Sequence, residues 1–492
     1  MKIKIYTLLP LVLLLACSDF LEESSQTKVR PSTVSDLEQI FLGEAYGAED
    51  YCIYNCTRYF TDDDQSNGVN SSGQQEEHNK RKWLFTWADN MFTESGSGYD
   101  AAFYQAFYER ILGCNLVLDN LDDMEGSHQE RESLRGEALT LRAWYYLQLV
   151  NLYGIAYNQG TPSSDPGVPL KLTSNVSTAY LSPSTVKDVY ARIEQDLLEG
   201  NRLLATYDFN RNYFRLGHLA AKAILSRVYL YMEEWDKAFA YADSVLTRKS
   251  DLLDLNSVTW NDLTRNTEGV YSSTTPDEIL WGRTALANYS FDLFNYLKVP
   301  YSPSIELTGS FERGTVDDFE KGQIGDIRAI LYFSWMIDFS DGMPYQYGMR
   351  KSPGNKTSNQ NMQGIRTAEL YLNQAEVYAR KYLEGANSSH RVAALDILNK
   401  LRRHRMNAAF TYEEVDIADG EELLEFYLEE RRRELCGETN HRWCDLRRFG
   451  ITVTHVLKEN NTSTEYTKDM SRYALPFQAE IITWNPGLVQ NK

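Results

Sequence analysis

The sequence predicts a mainly α-helical protein in which pairs of helices stack side by side and one less regular, loop-rich segment interrupts the stack. Three observations carry this. Residues 135–154 (RGEALTLRAWYYLQLVNLYG) form a helical wheel with two apolar flanks, and residues 219–246 read as two helices joined by a tight acidic turn. Residues 251–364 lose the helical period, with Gly, Pro, Ser and Asn set between aromatic residues.

In chain order, Lys2 and Lys4 precede an apolar run ending at Leu15-Ala16 and then Cys17, which predicts a secretory signal peptide over 1–16. The ending Leu14-Leu15-Ala16-Cys17 resembles a bacterial lipobox, in which the Cys17 thiol receives a diacylglycerol and becomes the first mature residue. Leu15 is bulkier than the usual residue there, and the alternative is an ordinary signal peptide that ends near a cysteine. Residues 17–35 are polar, contain Pro31 and suit a tether between lipid and folded body. Beyond Cys17 stand Cys52, Cys56, Cys114, Cys436 and Cys444, an odd number that cannot all pair with one another. Cys52 and Cys56 fit one helical turn or a small disulfide loop. His441 between Cys436 and Cys444 lacks further ligands at zinc-like spacing, so no metal or cofactor is expected. Asp62-Asp63-Asp64 with Asn67 departs from an EF-hand loop, because Gly68 falls one place late and Gly73 stands where the last ligand should be. A solvated loop is expected.

Residues 36–250 carry the first helical region. Over 99–121, Phe103, Phe107, Ile111 and Leu118 mark one side of a helix. In 135–154, Leu134, Ala138, Leu141, Tyr145, Leu149 and Leu152 cluster on one flank, and Leu139, Ala143, Tyr146, Leu147 and Val150 on the other. One apolar stripe suffices for a surface helix; two place this one between neighbours, with Gly136 and Ala143 permitting close approach. Its Trp and Tyr residues are therefore assigned to packing. Residues 160–170 break the order, and 184–204 resume it with Ser184 as expected N-cap. In 219–246 (LAAKAILSRVYLYMEEWDKAFAYADSVL), small Ala223 and Tyr229-x-Tyr231 close one helix, residues 233–236 turn, and Lys237-Ala238 open the next. This resembles a tetratricopeptide helix pair. A looser copy spans 370–404, and about four such pairs would complete a stable stack. The segment 251–364 is too long for a structureless loop and is expected to be an inserted subdomain or a set of functional loops. A helical region with a tail closes the chain over 365–492. Within 420–450, six arginines alternate with acids, which argues for ion pairs across a helix and its following turn rather than for a phosphate site.

The 492 residues carry 50 Lys and Arg against 69 Asp and Glu, a net charge of -19 that argues against nucleic acid as a partner. Mean hydropathy is -0.47, and beyond the N-terminus no apolar run approaches the length of a membrane span.

Several separated stretches together resemble the SusD/RagB family of Bacteroidota surface lipoproteins. They are the lipobox with its Ser-Asp-Phe-Leu sequel, YERILGCNLVLDNL followed by LRGEALTLRAWYYLQLVNLYG, then RTAELYLNQAEVYAR, LNKLRRHRM, EERRRELCGETNHRWCDLRRFG and the tail YALPFQAEIITWNPGLVQNK. Their order spans essentially the whole mature chain. Departures are Cys436 and Cys444, where aromatic residues are commoner, and Asn440-His441 before the Arg-Trp. The resemblance implies four tetratricopeptide-like pairs forming a right-handed superhelical scaffold with a loop-rich ligand-binding subdomain. It also implies a lipid-anchored, non-enzymatic protein on the outside of the outer membrane, capping a TonB-dependent SusC-like barrel. The implied cargo is an oligosaccharide or polysaccharide; some members take peptides or glycan-bearing peptides.

Within that expectation, Trp83, Trp87, Asn90 and Tyr99 lie in a polar, Gly/Ser-rich stretch, and Trp87 and Asn90 fall where family members place a stacking ring and an amide. From the insert, Trp281, Tyr289 and Tyr296 complete the expected ligand-binding set. Sugar C–H faces pack on rings, while hydroxyls need directional partners. The competing expectation is that Trp83 and Trp87, one helical turn apart, bury together. Three stacked rings at roughly 0.5–1.5 kcal/mol each approach the 4.1 kcal/mol or so of millimolar binding, which suits a receptor that releases its cargo. Two rival classes are an all-helical glycan-degrading enzyme and a tetratricopeptide lipoprotein that organises other proteins. Hydrolysis would want two carboxylates across a cleft, and no such pair stands in a recognisable setting.

Overall fold

The helix predicted around 135–154 begins earlier, spanning His128–Tyr153. Ser127 starts it: its hydroxyl accepts from the Glu130 N–H at 3.2 Å, and the Glu130 carboxylate accepts from the Ser127 N–H at 2.7 Å, a reciprocal capping box. The computed structural model describes residues 31–46, 57–69, 72–95, 102–177, 179–207, 212–258, 269–271, 276–286, 299–312, 314, 323–337, 344–349, 351 and 360–491. From Thr140 to Tyr153 every residue of this helix is buried. Its neighbours are the helices Ala102–Asn120 and Val186–Tyr207. Enclosure on all sides requires that the charged residues between the two apolar flanks find partners. Glu137 takes the guanidinium of Arg215 and the Tyr46 hydroxyl, while Arg142 makes a two-bond fork to Asp196 at 2.8 and 2.9 Å and reaches Asn115 at 2.8 Å. Gly136 meets Gly200 where the two helices cross: a Cβ added to Gly200 would lie 2.4 Å from Thr140 Oγ1 and 2.9 Å from Gly136 O.

The helix pairs are His128–Tyr153 with Val186–Tyr207, His218–Tyr231 with Trp235–Leu246, Thr367–Gly385 with Ser388–Arg403, and Gly420–Leu435 with His441–Arg448. Successive pairs touch, so that each apolar face is covered by the next. Ala223, Ala238 and Ala242 are fully buried, and Glu233 at φ +61° reverses the chain between the second pair. The cap of Val186–Tyr207 falls one residue later than expected, on Thr185. That shift places Asp188, not Lys187, three residues on, where its carboxylate accepts from the Thr185 hydroxyl at 2.7 Å. Arg447 closes the C-terminal end of His128–Tyr153 by donating to the carbonyls of Asn151 and Gly154.

The described parts of 251–364 hold short strands and helices. Ile279–Leu286 pairs antiparallel with Gln360–Arg366, Phe333–Ile337 with Pro344–Met349, and Tyr301–Pro303 with Asp64–Ser66. Tyr271, Trp281, Tyr301 and Tyr332 are all buried, and Leu255, Tyr271, Leu307, Phe311, Tyr332 and Phe333 form a separate small core that reaches Cys436. A fourth strand pair, the hairpin Thr452–Glu459 with Thr462–Asp469, turns at Asn460-Asn461, both with positive φ.

The arginine-rich stretch does form ion pairs, but they reach much farther than its own helix and turn. Glu434 takes Arg328, Arg366 and Arg405; Glu438 takes Arg366 and Lys351; Glu278 takes Arg366 and Arg405. All these side chains are buried. The network ties the inserted segment to the last helix pair. Burial by itself would raise the Glu438 pKa, but Arg366 and Lys351 outweigh it and hold the carboxyl down at about 2. The acidic run 62–64 is likewise not a solvated loop. Asp62 pairs with Arg442 at 2.5 Å, Asp63 with Arg432 at 2.9 Å and Asp64 with Arg58 at 2.6 Å. For Asp62 and Asp63 the partners are arginines 380 and 369 residues away, which the local sequence does not show.

Candidate ligand-binding site

The stretch expected to bind ligand follows the helix Ser72–Phe85. The chain leaves this helix through a Schellman-type turn: the Trp87 N–H donates to Leu84 O at 3.1 Å and the Ala88 N–H to Trp83 O at 3.1 Å. Trp87 therefore occupies the left-handed position, at φ +50°, which usually belongs to glycine. The cost of such a conformation, about 1–3 kcal/mol, is offset by what the ring does. Trp87 stacks on His455 at 4.2 Å, and His455 stacks on Phe85 at 4.0 Å. The imidazole nitrogens lie 2.6 Å from Phe85 O and 2.8 Å from Thr61 O. Burial pushes the His455 pKa down, while both carbonyls and Asp62 oppose that shift. The imidazole thus ties the hairpin strand Thr452–Glu459 to the end of the Ser72–Phe85 helix.

This geometry corrects two of the expected site residues. Trp87 is 4% exposed and presents no free face to a ligand; the turn points it inward rather than outward. Trp281 is fully buried, edge-on to Trp144 at 5.2 Å, because its strand pairs with Gln360–Arg366 against the scaffold. Trp83 is half-buried, with Lys82 Nζ 5.2 Å above its ring and the same ammonium 3.0 Å from Glu459. Asn90 is exposed and donates to Glu94 at 3.3 Å. Trp83 and Asn90 sit on either side of the same turn, with Lys82, Glu94 and Glu459 adding charge. The turn thus carries a partly open ring at one end and an exposed amide at the other. Cys17, Tyr99, Tyr289 and Tyr296 lie outside the described residues, as do Cys52 and Cys56.

A second concavity was not foreseen. A cleft of about 450 Å³ opens between Ala102–Asn120, residues 169–181 and the helix Ala479–Trp484, lined by Tyr104, Tyr108, Leu112, Leu181, Ile481 and Trp484. Gln105, Glu109, Pro169 and Asn485 complete the wall. Several of its polar groups are engaged within the fold: the Tyr108 hydroxyl donates to Pro169 O at 2.7 Å, Asn485 Nδ2 to Leu181 O at 2.8 Å and Gln105 Nε2 to Glu109 at 2.7 Å. Burial pushes the Tyr104 hydroxyl up to about 12. Tyr104 and Tyr108, one turn apart, and an exposed tryptophan before Asn485-Pro486 were the available sequence signals. No pattern links three segments so distant in the chain. Among the cleft's lining residues Glu109 is the one carboxylate, so the wall lacks the paired carboxylates that glycoside hydrolysis uses.

Residues 19–230 match a family described as starch-binding, associating with the outer membrane, and residues 337–492 match the SusD family. Two SusD-like proteins of Formosa agariphila are similar to the chain. One is 23% identical over 448 residues, covering 82% of this chain and 81% of the relative; the other is 22% identical over 536, covering 100% and 99%. Among solved structures, a SusD superfamily protein of Bacteroides thetaiotaomicron superposes with a TM-score of 0.67 at 20% identity, covering 94% of this chain and 100% of that one. A SusD-like carbohydrate binding protein of Bacteroides vulgatus gives 0.65 at 21% identity, covering 93% and 97%.

Proposed function

The chain belongs to the SusD family, and on that premise we propose that it is a non-enzymatic surface lipoprotein that captures an oligosaccharide or polysaccharide and passes it to a TonB-dependent SusC-like barrel. The observation that carries the binding reading is the Trp83–Asn90 turn, which has a half-buried indole with Lys82 and Glu459 at one end and an exposed amide with Glu94 at the other, on a core-anchored support. Tyr99, Tyr289 and Tyr296 are retained in the proposed site as rings from flanking segments. Acylated Cys17 is the proposed membrane anchor. It agrees with the finding that, among the described residues, no helix is long and apolar enough to cross a membrane.

The test is affinity electrophoresis of the mature protein through a panel of polysaccharides, with Trp83→Ala and Asn90→Ala beside wild type. One stacked ring contributes about 0.5–1.5 kcal/mol, so Trp83→Ala should weaken retention roughly two- to tenfold without changing the folded state. Unchanged mobility of both variants on a retained polysaccharide would remove this turn from the site. New reducing ends or unsaturated products in the same incubations would overturn the non-enzymatic reading. Retention of peptides in place of every glycan would move the cargo to the peptide class.

A further inference from the structure

We propose that the cleft between Ala102–Asn120, residues 169–181 and Ala479–Trp484 docks a protein partner, which inserts one large apolar side chain and sets a basic residue against Glu109. The chemistry of the wall selects this occupant over a sugar. Tyr104, Tyr108, Leu112, Leu181, Ile481 and Trp484 present mostly carbon, and the Tyr108 hydroxyl and the amide nitrogens of Asn485 and Gln105 are bonded within the fold. A sugar hydroxyl turned toward the carbon part of this wall would lose water and find few partners, whereas an apolar side chain loses little by entering.

The surroundings point the same way. Among the described residues, large apolar side chains stand exposed on all three segments that build the cleft: Leu112 at 44%, Val176 and Tyr180 from the loop, and Trp484 at 65%. Exposed apolar surface gathered around a concavity marks an interaction face. Trp484 is also held in place before any partner arrives. Ile481 and Leu488 are buried on either side of it, Gln490 exchanges hydrogen bonds with both backbone groups of Phe477, and Asn491 Nδ2 donates to Tyr153 O at 2.8 Å. An anchor pocket fixed in advance loses little freedom on binding.

Charge defines the rest of the partner. Glu109 is exposed at the rim and accepts from Gln105 through one oxygen, and the chain as a whole carries -19. A lysine or arginine next to the apolar anchor meets complementary potential, and an acid there meets repulsion. This inference does not depend on the glycan reading, since it uses none of the Trp83–Asn90 residues.

The experiment uses the mature protein labelled with 5-fluorotryptophan, the Trp484 resonance being assigned by its loss in Trp484→Phe. The probes are acetyl-Lys-Phe-amide, acetyl-Glu-Phe-amide and maltohexaose. The Trp484 signal should shift saturably with the Lys-Phe peptide and roughly two- to fivefold more weakly with the Glu-Phe peptide, the size of one exposed charge contact. Glu109→Lys should invert that preference, and Leu112→Glu should abolish the shift with the thermal midpoint unchanged. No shift with either peptide into the millimolar range overturns the proposal, as does a shift with maltohexaose at lower concentration than with the peptides. Trp83→Ala should leave the peptide titration unchanged, which separates this face from the glycan site.

Discussion

Individual residues here answer to neighbours that the local sequence does not reveal. Trp87 is the plainest case. As a tryptophan in a polar, Gly/Ser-rich stretch it looked like a sugar platform, but the left-handed turn and the His455 ring draw it inside. Gly200 makes the complementary point: nothing marks it in the sequence, yet it lies where two helices touch backbone to backbone. Gly200→Ala should destabilise the protein by about 1–3 kcal/mol, because its Cβ meets both a threonine hydroxyl and a carbonyl that cannot move independently. Chemical denaturation reads this directly, and a variant as stable as wild type would show that the crossing is looser than described. At this scale, burial of the 135–154 aromatics was legible from the double-flanked wheel. The fate of Trp87 and Trp281 was not, since a short aromatic stretch reads alike whether it faces water or a histidine from residue 455.

Among the elements, the helices were the most legible because each carries its own 3.6-residue period and caps. The pairs around 219–246 and 370–404 fall where small residues and turn residues placed them. The inserted segment was legible only as a departure from that period; its strands are short and irregular and pair across long separations. What holds it on the scaffold is the buried network of Glu278, Glu434 and Glu438 with Arg328, Arg366, Arg405 and Lys351. Arg366 touches three of these carboxylates, so Arg366→Ala leaves buried negative charge without its counterion. The expected loss is about 3–5 kcal/mol of stability, measured in urea, with cleavage by a protease shifting into 251–364. A loss below about 1 kcal/mol would mean that the other arginines redistribute to cover the gap.

Across the whole molecule, buried carboxylates set the response to acid, among them Glu438 of that network and Glu376, which pairs with Arg448 at 3.1 Å. Burial raises and arginine or lysine partners more strongly lower the pKa of Glu376 and Glu438, which lie at about 2 against an ordinary 4.5. The folded state then binds fewer protons than the unfolded one between those values. Stability is fully present above pH 4.5 and is lost as pH falls toward 2. Thermal midpoints should hold level from neutral pH to about 5 and drop steeply below about 4; a level midpoint down to about pH 3 would contradict the assignment. The proposed anchoring through Cys17 is a separate matter at this scale. Cys17→Ser should leave folding intact and move the protein from the membrane to the soluble fraction, and a variant still sedimenting with membranes would argue for another anchor.

Taken alone, the sequence determined the helical class, the paired helices and the membership that the order of its motifs announced. Those features are periodic or strictly local, and a chain carries them wherever it folds. The tertiary structure decided which rings remain open, where the acids at 62–64 find their partners, and that residues 104–112, 169–181 and 481–485 form one cleft. Those outcomes depend on contacts between segments hundreds of residues apart, and no spacing along the chain encodes which surfaces will meet.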